Sequence, residues 1–270
     1  ESRRSLPARH LVGGGDTLNN AWAVARREIQ VYFSSPIAYV VLASFIFLYG
    51  YFFYDYLYLF MQRGMGTGFG ETEILNLNED LIRWLFHSAT VVILFLLPQI
   101  TMRSFAEELR SGTIELLLTS PITDFQLVVG KFLGALTLYA TMLALTLAHM
   151  GILFFFGDPE WKPIVVGYLG LVLFGAAFIS FGLFFSSLTK NQVIAGLLSF
   201  GTFLFLWLIE YAESWAGPAA GAVTYISVTG HIEEFAKGVV DTRDVVYYLS
   251  FIALGLFLAT QSIVSHRWRG

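Results

Sequence analysis

Six long apolar stretches dominate this sequence and restrict the folds open to it. A helix rises about 1.5 Å per residue and must cross roughly 30 Å of hydrocarbon, so each crossing needs about 20 apolar residues. Backbone polar groups find no water inside a bilayer, and runs of this length satisfy them by forming helices. The chain is therefore predicted to be an all-α integral membrane protein with six transmembrane helices. The predicted spans are 37–60, 84–102, 125–156, 164–188, 192–211 and 245–265.

The composition agrees with a membrane location and excludes several kinds of site. Of the 270 residues, 56% are hydrophobic and 13% are charged, whereas about 25% of the residues in an ordinary soluble domain are charged. The sequence contains no cysteine, so neither a disulfide framework nor a thiolate metal site is available. The formal charge of −4 is small, and no interaction with nucleic acid is expected from it.

The basic residues indicate the orientation of the six spans. With the N-terminus in the cytoplasm, eleven of the 16 Lys and Arg residues fall on the cytosolic side and five fall outside. The positive-inside rule favours this arrangement. Both termini are then cytosolic, and residues 1–16 are expected to form a flexible cytosolic lead-in.

Residues 17–35, ahead of the first span, are predicted to form an amphipathic helix lying on the inner membrane surface. The apolar positions are Leu18, Trp22, Ala25, Ile29 and Phe33, and the polar positions are Arg26, Arg27, Glu28 and Gln30. Pro36 cannot continue the helix, so the chain is expected to turn at Ser35 and enter the bilayer. The pattern alone fits a plain membrane anchor equally well.

A charged segment, residues 104–121, separates the second and third spans and is too polar for lipid. If Ser104 caps a helix here, Glu107 occupies the third helical position, as in the S-x-x-E capping box. Gly112 permits a break, and Pro121 prevents continuation. The 104–121 segment is therefore predicted to form a short helix on the cytosolic side, with an ordinary polar loop as the alternative.

The connection 212–244 between the fifth and sixth spans is long, and its apolar middle is too short to cross a membrane. It contains one apolar and one charged helical face. The apolar residues are Ile232, Phe235, Ala236 and Val239, and the charged residues are Glu233, Glu234 and Lys237. Asp241 is predicted to cap the last spanning helix, with Asp244 as the acidic member of a capping box. A surface helix and a gate both fit this pattern.

An ionisable residue within an apolar run suggests a function, because its burial in lipid is costly. Glu210, at the outer end of the fifth span, shares a helical face with Phe203 and Trp207. These three residues and Phe235 are candidates for the lining or gate of a pathway. Packing or lipid contact is the alternative for the aromatic residues, and an interfacial position is the alternative for Glu210.

Four motifs, in order along the chain, resemble those of type-2 ABC exporter permeases, the ABC-2 family with the type V exporter fold. They are most similar to its gliding-motility-type branch. The 104–121 segment matches the family pattern of paired acids, a basic residue, Gly-Thr, an acid and a leucine run before Thr-x-Pro. The matching residues are Glu107, Glu108, Arg110, Gly112, Thr113, Glu115, Leu116, Leu117, Leu118, Thr119 and Pro121. The other motifs are residues 33–39, 130–134 and 238–244, and the resemblance covers residues 22–265.

The resemblance implies a permease subunit without enzymatic activity of its own. Residues 36–270 would form the permease domain, with the 104–121 segment as a coupling helix seated in a groove of a cytosolic ATPase and 212–244 as short extracellular re-entrant helices. The residues implied in ATPase coupling are Phe105, Glu107, Glu108, Leu109, Arg110, Thr113 and Glu115. The implied residues of the interfacial helix are Trp22, Arg26, Arg27 and Glu28.

The same resemblance implies an assembly in a bacterial inner membrane. Its members would be two ATPase subunits that bind ATP and Mg²⁺, a second identical or related permease and the surrounding lipid. An extracytoplasmic accessory protein is left open. This sequence lacks the G-x-x-x-x-G-K-[ST] loop that cradles nucleotide phosphates, so energy is expected from a partner or from an ion gradient.

Two other functions stay open on the sequence. A membrane scaffold or force transmitter without transport could use the same layout, because the branch that the chain resembles is associated with motility. An ion-coupled secondary carrier would require ionisable residues at mid-membrane and inverted repeats of broken helices, and neither is visible. No motif indicates the transported substrate.

Overall fold

The computed structural model describes residues 14–64, 76–118, 121–209 and 227–267. Within these ranges all regular structure is helical. The helices are α1 Gly14–Ser34, α2 Pro36–Gly64, α3 Arg83–Thr101, α4 Ala106–Ser111, α5 Ile114–Leu118, α6 Asp124–Phe156, α7 Trp161–Leu188, α8 Gln192–Leu208, α9 Gly230–Ala236 and α10 Thr242–Arg267. A π-helical turn, Asn78–Ile82, leads into α3. Most of the predicted lead-in, residues 1–13, lies outside the described residues.

Five helical segments are long and apolar enough to cross a membrane, judged by length and composition. They contain α2, α3, α6, α7 and α10, which coincide with five of the six predicted spans. The other predicted span, 192–211, corresponds to α8, which is apolar but has 17 described residues. The prediction of an all-helical, multi-span protein is confirmed, and the count of six spans stays a prediction.

The helix boundaries follow local sequence signals. α1 ends at Ser34 and α2 begins at Pro36, so the predicted turn at Ser35 is confirmed. The start of α6 carries a complete capping box, in which Thr123 Oγ1 accepts from the Gln126 amide at 3.2 Å and the Gln126 side chain accepts from the Thr123 amide at 2.9 Å. These caps satisfy amides that a helix start would otherwise leave unpaired.

α7 lies at the centre of the bundle and contacts α3, α6, α8, α9 and α10. In the apolar 18-residue stretches of α7 and of the segment that contains α3, 61% and 72% of the residues are buried inside the protein. The corresponding share is 28% for α2 and for α10. Gly175 and Gly182 of α7 lie directly against Tyr139 of α6 and Thr101 of α3. Small residues thus serve close packing within this chain, as expected for helices that associate in lipid.

The packed face of α1 differs from the predicted apolar face. α1 lies along α6, and its buried residues are Ala21, Ala25 and Glu28. Trp22, predicted on the same face as Ala25, is 61% exposed. The assignment of Glu28 to the polar, outward side is therefore wrong. The side of α1 that meets α6 is defined by small residues and by one charged group, whereas Trp22 of the predicted apolar face is left available to lipid.

Two glycines of α6 allow this close approach of α1. A Cβ atom at Gly130 would lie 2.5 Å from Val24 Cβ, and one at Gly134 would lie 2.5 Å from Glu28 Cβ. Neither distance is compatible with van der Waals contact, so an added methyl group must displace α1 from α6.

We expect Gly134→Ala to lower the free energy of unfolding by about 1–3 kcal/mol, the usual cost of inserting atoms into a packed interface. Gly151→Ala is the matched control, because the same helix has no atom within 4 Å of a Cβ at Gly151. That control should be neutral or stabilise by about 0.5–1 kcal/mol through helix propensity. Equilibrium unfolding of both variants in mixed micelles measures the difference, and equal stabilities would show that α1 is not held by this contact.

Candidate functional site

The 104–121 segment forms two short helices rather than one. α4, Ala106–Ser111, ends at Gly112, whose φ of 74° lies in the left-handed region that favours glycine. α5, Ile114–Leu118, follows at once. The predicted break at Gly112 is confirmed, because the first helix ends there and a second begins at Ile114.

The start of α4 is capped by a residue of another helix. Ser186 Oγ, from α7, accepts from the amides of Phe105 and Ala106 at 3.0 Å each and donates to the Met102 carbonyl at 3.0 Å. The predicted capping box at Ser104 is wrong, because α4 begins at Ala106 and no side chain of its own segment caps it. Ser104 Oγ instead lies 3.1 Å from the Tyr32 hydroxyl.

A buried lysine joins three helices beside α4. Lys131 of α6 donates to Glu28 of α1 at 2.8 Å and to Glu108 of α4 at 2.7 Å. The Lys131 side chain is 2% exposed, and the two carboxylate side chains are 10% and 15% exposed. The ammonium also lies 5.2 Å from the centre of the Phe105 ring, a cation–π distance. We call Glu28, Lys131 and Glu108 the charged triad.

The charged triad holds one more negative than positive charge in a buried site. Burial raises the pKa of the Glu108 carboxyl above its usual value, because desolvation disfavours the charged form, and the Lys131 ammonium opposes the shift. Glu108 Oε2 is buried and has no hydrogen-bond partner among the described residues. The triad can therefore accept one more hydrogen bond.

The structure divides the predicted coupling residues into two groups. Phe105 and Leu109 are buried, and Glu108 belongs to the charged triad, so these three face the bundle. The exposed residues are Glu107, Arg110, Thr113 and Glu115. One side of the 104–121 segment is thus fixed to the spanning helices, while the other side offers charges of both signs to a partner.

Lys131 is absent from the set of residues predicted to act in coupling, although one signal points to it. It is a lone basic residue close to the start of a 33-residue apolar helix, a position where a charge is costly unless it is paired. Its two carboxylate partners lie 103 and 23 residues away in sequence. Spacing therefore gives no indication of the first of these pairs.

Comparison with known proteins places this architecture in a family. A family model described as "ABC-2 family transporter protein" matches residues 22–237, about four fifths of the chain. This chain belongs to the ABC-2 transporter family. The matched range includes residues 22–34 of α1, the charged triad and the 104–121 segment. The gliding-motility branch stays a prediction.

Individual ABC-2 relatives match a smaller part of the chain. Among them is the "Probable multidrug ABC transporter permease YbhR" of Escherichia coli strain K12, and a protein of the same description occurs in Escherichia coli O157:H7. Each is 28% identical over 144 residues, which make up 51% of this chain and 38% of the relative. The chain thus spans about two fifths of the length of these relatives.

The residues assigned to the interfacial helix, α1 of this ABC-2 permease, also fall into an exposed and a buried group. Trp22, Arg26 and Arg27 are exposed and remain available to lipid or to a partner. Glu28 is instead buried in the charged triad, where it binds Lys131 of α6.

The predicted pathway residues are not brought together in the described structure. Phe203 is 1% exposed and stacks on Phe178 with ring centroids 3.3 Å apart. Phe235 is fully buried at the far end of the bundle, against Gly170. Trp207 is half-buried, and Glu210 lies outside the described residues. The observed environments of Phe203 and Phe235 are those of packing residues, and a pathway role for this set stays a prediction.

The end of the bundle opposite the 104–121 segment contains α9. Its residues Ile232, Phe235 and Ala236 are buried as predicted, whereas Val239 follows the end of the helix and is 49% exposed. The charged side is only partly free, because Arg83 of α3 forms an ion pair with Glu233. The remainder of the predicted 212–244 region, residues 212–226, lies outside the described residues.

The junction between α9 and α10 corrects one further prediction. Asp241 Oδ1 accepts from the Arg243 amide at 2.9 Å, as expected of a capping residue. Asp244 does not complete a capping box. Its carboxylate is buried and lies 2.7 Å from His231 Nδ1, which fixes α9 to the start of α10.

Proposed function

We propose that this chain is the permease subunit of an ATP-driven exporter, in which the 104–121 segment receives movement from a separate cytosolic ATPase. The observation that carries the proposal is the charged triad. Through it, α4 is bonded to α6 and to α1 by charge-assisted hydrogen bonds within a buried site. Such bonds are about twice as strong as neutral ones.

The attachments of α4 make it suited to transmit a displacement. Ser186 binds the amides of Phe105 and Ala106 at the start of α4 and so fixes it to α7, the central helix, and Lys131 binds Glu108 in its first turn and fixes it to α6. A partner that pushes the exposed side of α4 must therefore move α6 and α7 with it or break buried polar contacts, which is costly. Membership of the ABC-2 family supports an ATPase as that partner.

The proposal includes the arrangement that the resemblance implies. Two permease chains and two ATPase subunits would form the complex in a bacterial inner membrane, with both permease termini in the cytosol. ATP and Mg²⁺ would bind to the ATPases alone. Cross-membrane movement of substrate would then follow from relative motion of the spanning helices.

Site-directed cross-linking tests the proposal. Because the chain has no cysteine of its own, a thiol reagent can react with it only at the introduced cysteine. The full complex is expressed with Thr113→Cys, and lysine-reactive and cysteine-reactive bifunctional reagents are applied in membranes. A cross-link from Thr113→Cys to an ATPase subunit is expected. Asp158→Cys, at an exposed position between α6 and α7, is the matched control and should give no such product.

The same two variants report orientation. A membrane-impermeant maleimide should label Asp158→Cys in intact cells and Thr113→Cys only after the membrane is permeabilised. Labelling of Thr113→Cys in intact cells, or transport by the purified chain alone on an ion gradient without ATP, contradicts the proposed function.

A further inference from the structure

A cavity of about 310 Å³ opens beside the charged triad, between the adjacent ends of α1, α2, α3, α4 and α6. Its volume lies within the range of about 300–1,000 Å³ that is usual for small-molecule sites. Its wall includes the turn at Ser35, where α1 gives way to α2, and Gln99 near the end of α3. The cavity therefore lies at the boundary between the apolar helices and the charged 104–121 segment, the level at which lipid headgroups are found.

The acidic and basic residues around the cavity are equal in number, but not all of them are paired. Three basic and three acidic residues line it. They are Arg27, Arg103 and Lys131, and Glu28, Glu107 and Glu108. Lys131 is already bonded to Glu28 and Glu108. Across the described part of the chain, neither Arg27 nor Arg103 forms an ion pair. The site thus offers two arginine side chains that no carboxylate neutralises directly.

Two buried polar atoms of the lining have no hydrogen-bond partner among the described residues. One is a donor, Arg103 Nε, and the other is an acceptor, Glu108 Oε2. A buried polar atom without a partner is destabilising, and more so if its group is charged. The two residues do not satisfy each other, so a single ligand that satisfies both must accept at one end and donate at the other.

Apolar side chains form part of the remaining wall and continue to the outside of the bundle. Val41 is buried in the wall, and Val31 and Ile37 are 54% and 36% exposed at its rim. An acyl chain can lie against these side chains while a headgroup occupies the charged interior. Guanidinium groups bind phosphate oxygens in a fixed fork geometry.

We propose that this cavity binds the headgroup of a zwitterionic phospholipid that carries a primary ammonium, with its phosphate held by Arg27 and Arg103 and its ammonium held by Glu108. Basic pockets between membrane helices are known to bind lipid headgroups. An anionic headgroup such as that of phosphatidylglycerol offers Glu108 Oε2 only neutral hydroxyl donors and brings no cation to it. A trimethylammonium headgroup has no N–H to donate to it.

Binding of this lipid affects the position of α4, the helix that transmits movement in the proposed function. The lipid proposal itself does not rest on that function. The lipid supplies Glu108 with a second cationic partner, so the excess negative charge of the triad is neutralised. An occupied cavity therefore stabilises α4 in its observed position against α6.

Lipid competition measured by native mass spectrometry tests the proposal. The full-length chain, purified in mild detergent without ATP or an ATPase, is mixed with equal amounts of phosphatidylethanolamine, phosphatidylcholine and phosphatidylglycerol of the same acyl length. We expect about fivefold or greater retention of phosphatidylethanolamine over either competitor. Inorganic phosphate at the same concentration should not displace it. Equal retention of all three lipids, preference for phosphatidylglycerol, or displacement by phosphate overturns the proposal.

Two variants locate the site. Arg103→Gln removes a charge-assisted hydrogen bond and should lower phosphatidylethanolamine retention about tenfold. Arg26→Gln is the matched control, because Arg26 is exposed and does not line the cavity, and it should retain the lipid as the unmodified chain does. Unchanged retention by Arg103→Gln overturns the assignment. If Arg103→Gln fails to fold, Arg27→Gln, whose side chain is exposed, is measured instead, and the lipid competition on the unmodified chain needs no variant.

Discussion

Replacing Lys131 by methionine is expected to lower the free energy of unfolding by about 3–5 kcal/mol, the usual cost of removing one partner from a buried ion pair. The methionine side chain is apolar and of similar length, so packing is largely preserved. The loss arises because Glu28 and Glu108 remain at 10% and 15% side-chain exposure without the ammonium that they share. Their mutual repulsion would separate α1 and α4 from α6.

The expected effect is measured by equilibrium unfolding of the purified chain in mixed micelles, with Lys162→Met as the matched control. Lys162 is exposed at the start of α7, and its replacement should change the unfolding free energy by no more than about 0.5 kcal/mol. If Lys131→Met is as stable as the control, the charged triad does not hold these helices together.

A triple variant separates the loss of the ammonium from the loss of the whole triad. Glu28→Gln, Lys131→Met and Glu108→Gln together remove every charge, so no uncompensated carboxylate is left in the site. Buried ion pairs replaced as a unit are often nearly neutral in stability. We therefore expect the triple variant to recover most of the stability that Lys131→Met loses. Recovery of stability without recovery of the ATPase-linked transport that we propose would assign the triad to coupling rather than to folding.

Signals that act over a few residues predict the fold well. The lengths of the apolar runs predict the spanning helices. Pro36 predicts the turn between α1 and α2, and Gly112 predicts the break between α4 and α5. Each signal reports the conformational limits of the backbone near one residue or the thickness of the bilayer, and tertiary contacts do not change either.

Contacts between helices that are distant in sequence could not be predicted from local sequence signals. The caps on α4 come from Ser186, about 80 residues away in sequence, and nothing in the local pattern around Ser104 excludes its own capping box. Glu28 illustrates the same limit. Periodicity distinguishes apolar from polar sides of a helix, but it cannot tell whether a charged residue faces water or a buried lysine on another helix.

The charged triad also alters what an experiment on the paired acids of the 104–121 segment can show. Reversal of Glu107 and Glu108 together would mix two effects, because Glu108 is bonded to Lys131 and Glu107 is exposed. Two lysines at the exposed positions Glu107 and Glu115 avoid this problem. They change the charge of the outward side of α4 and α5 and leave the triad in place.

Glu107→Lys combined with Glu115→Lys is expected to weaken binding of the ATPase at least about tenfold, because like charges brought together in an interface cost several kcal/mol. Unfolding free energy should change by no more than about 1 kcal/mol, since both side chains are exposed and the helix-dipole contribution of Glu107 in the first turn of α4 is small. Binding of the purified ATPase to permease in nanodiscs, followed at two salt concentrations, measures the effect.

Asp158→Lys, exposed in the connection between α6 and α7, is the control and should bind as the unmodified chain does. Undiminished binding by the double variant would move the docking surface away from the 104–121 segment, whereas a large loss of stability would mean that these two acids maintain the fold and not the interface.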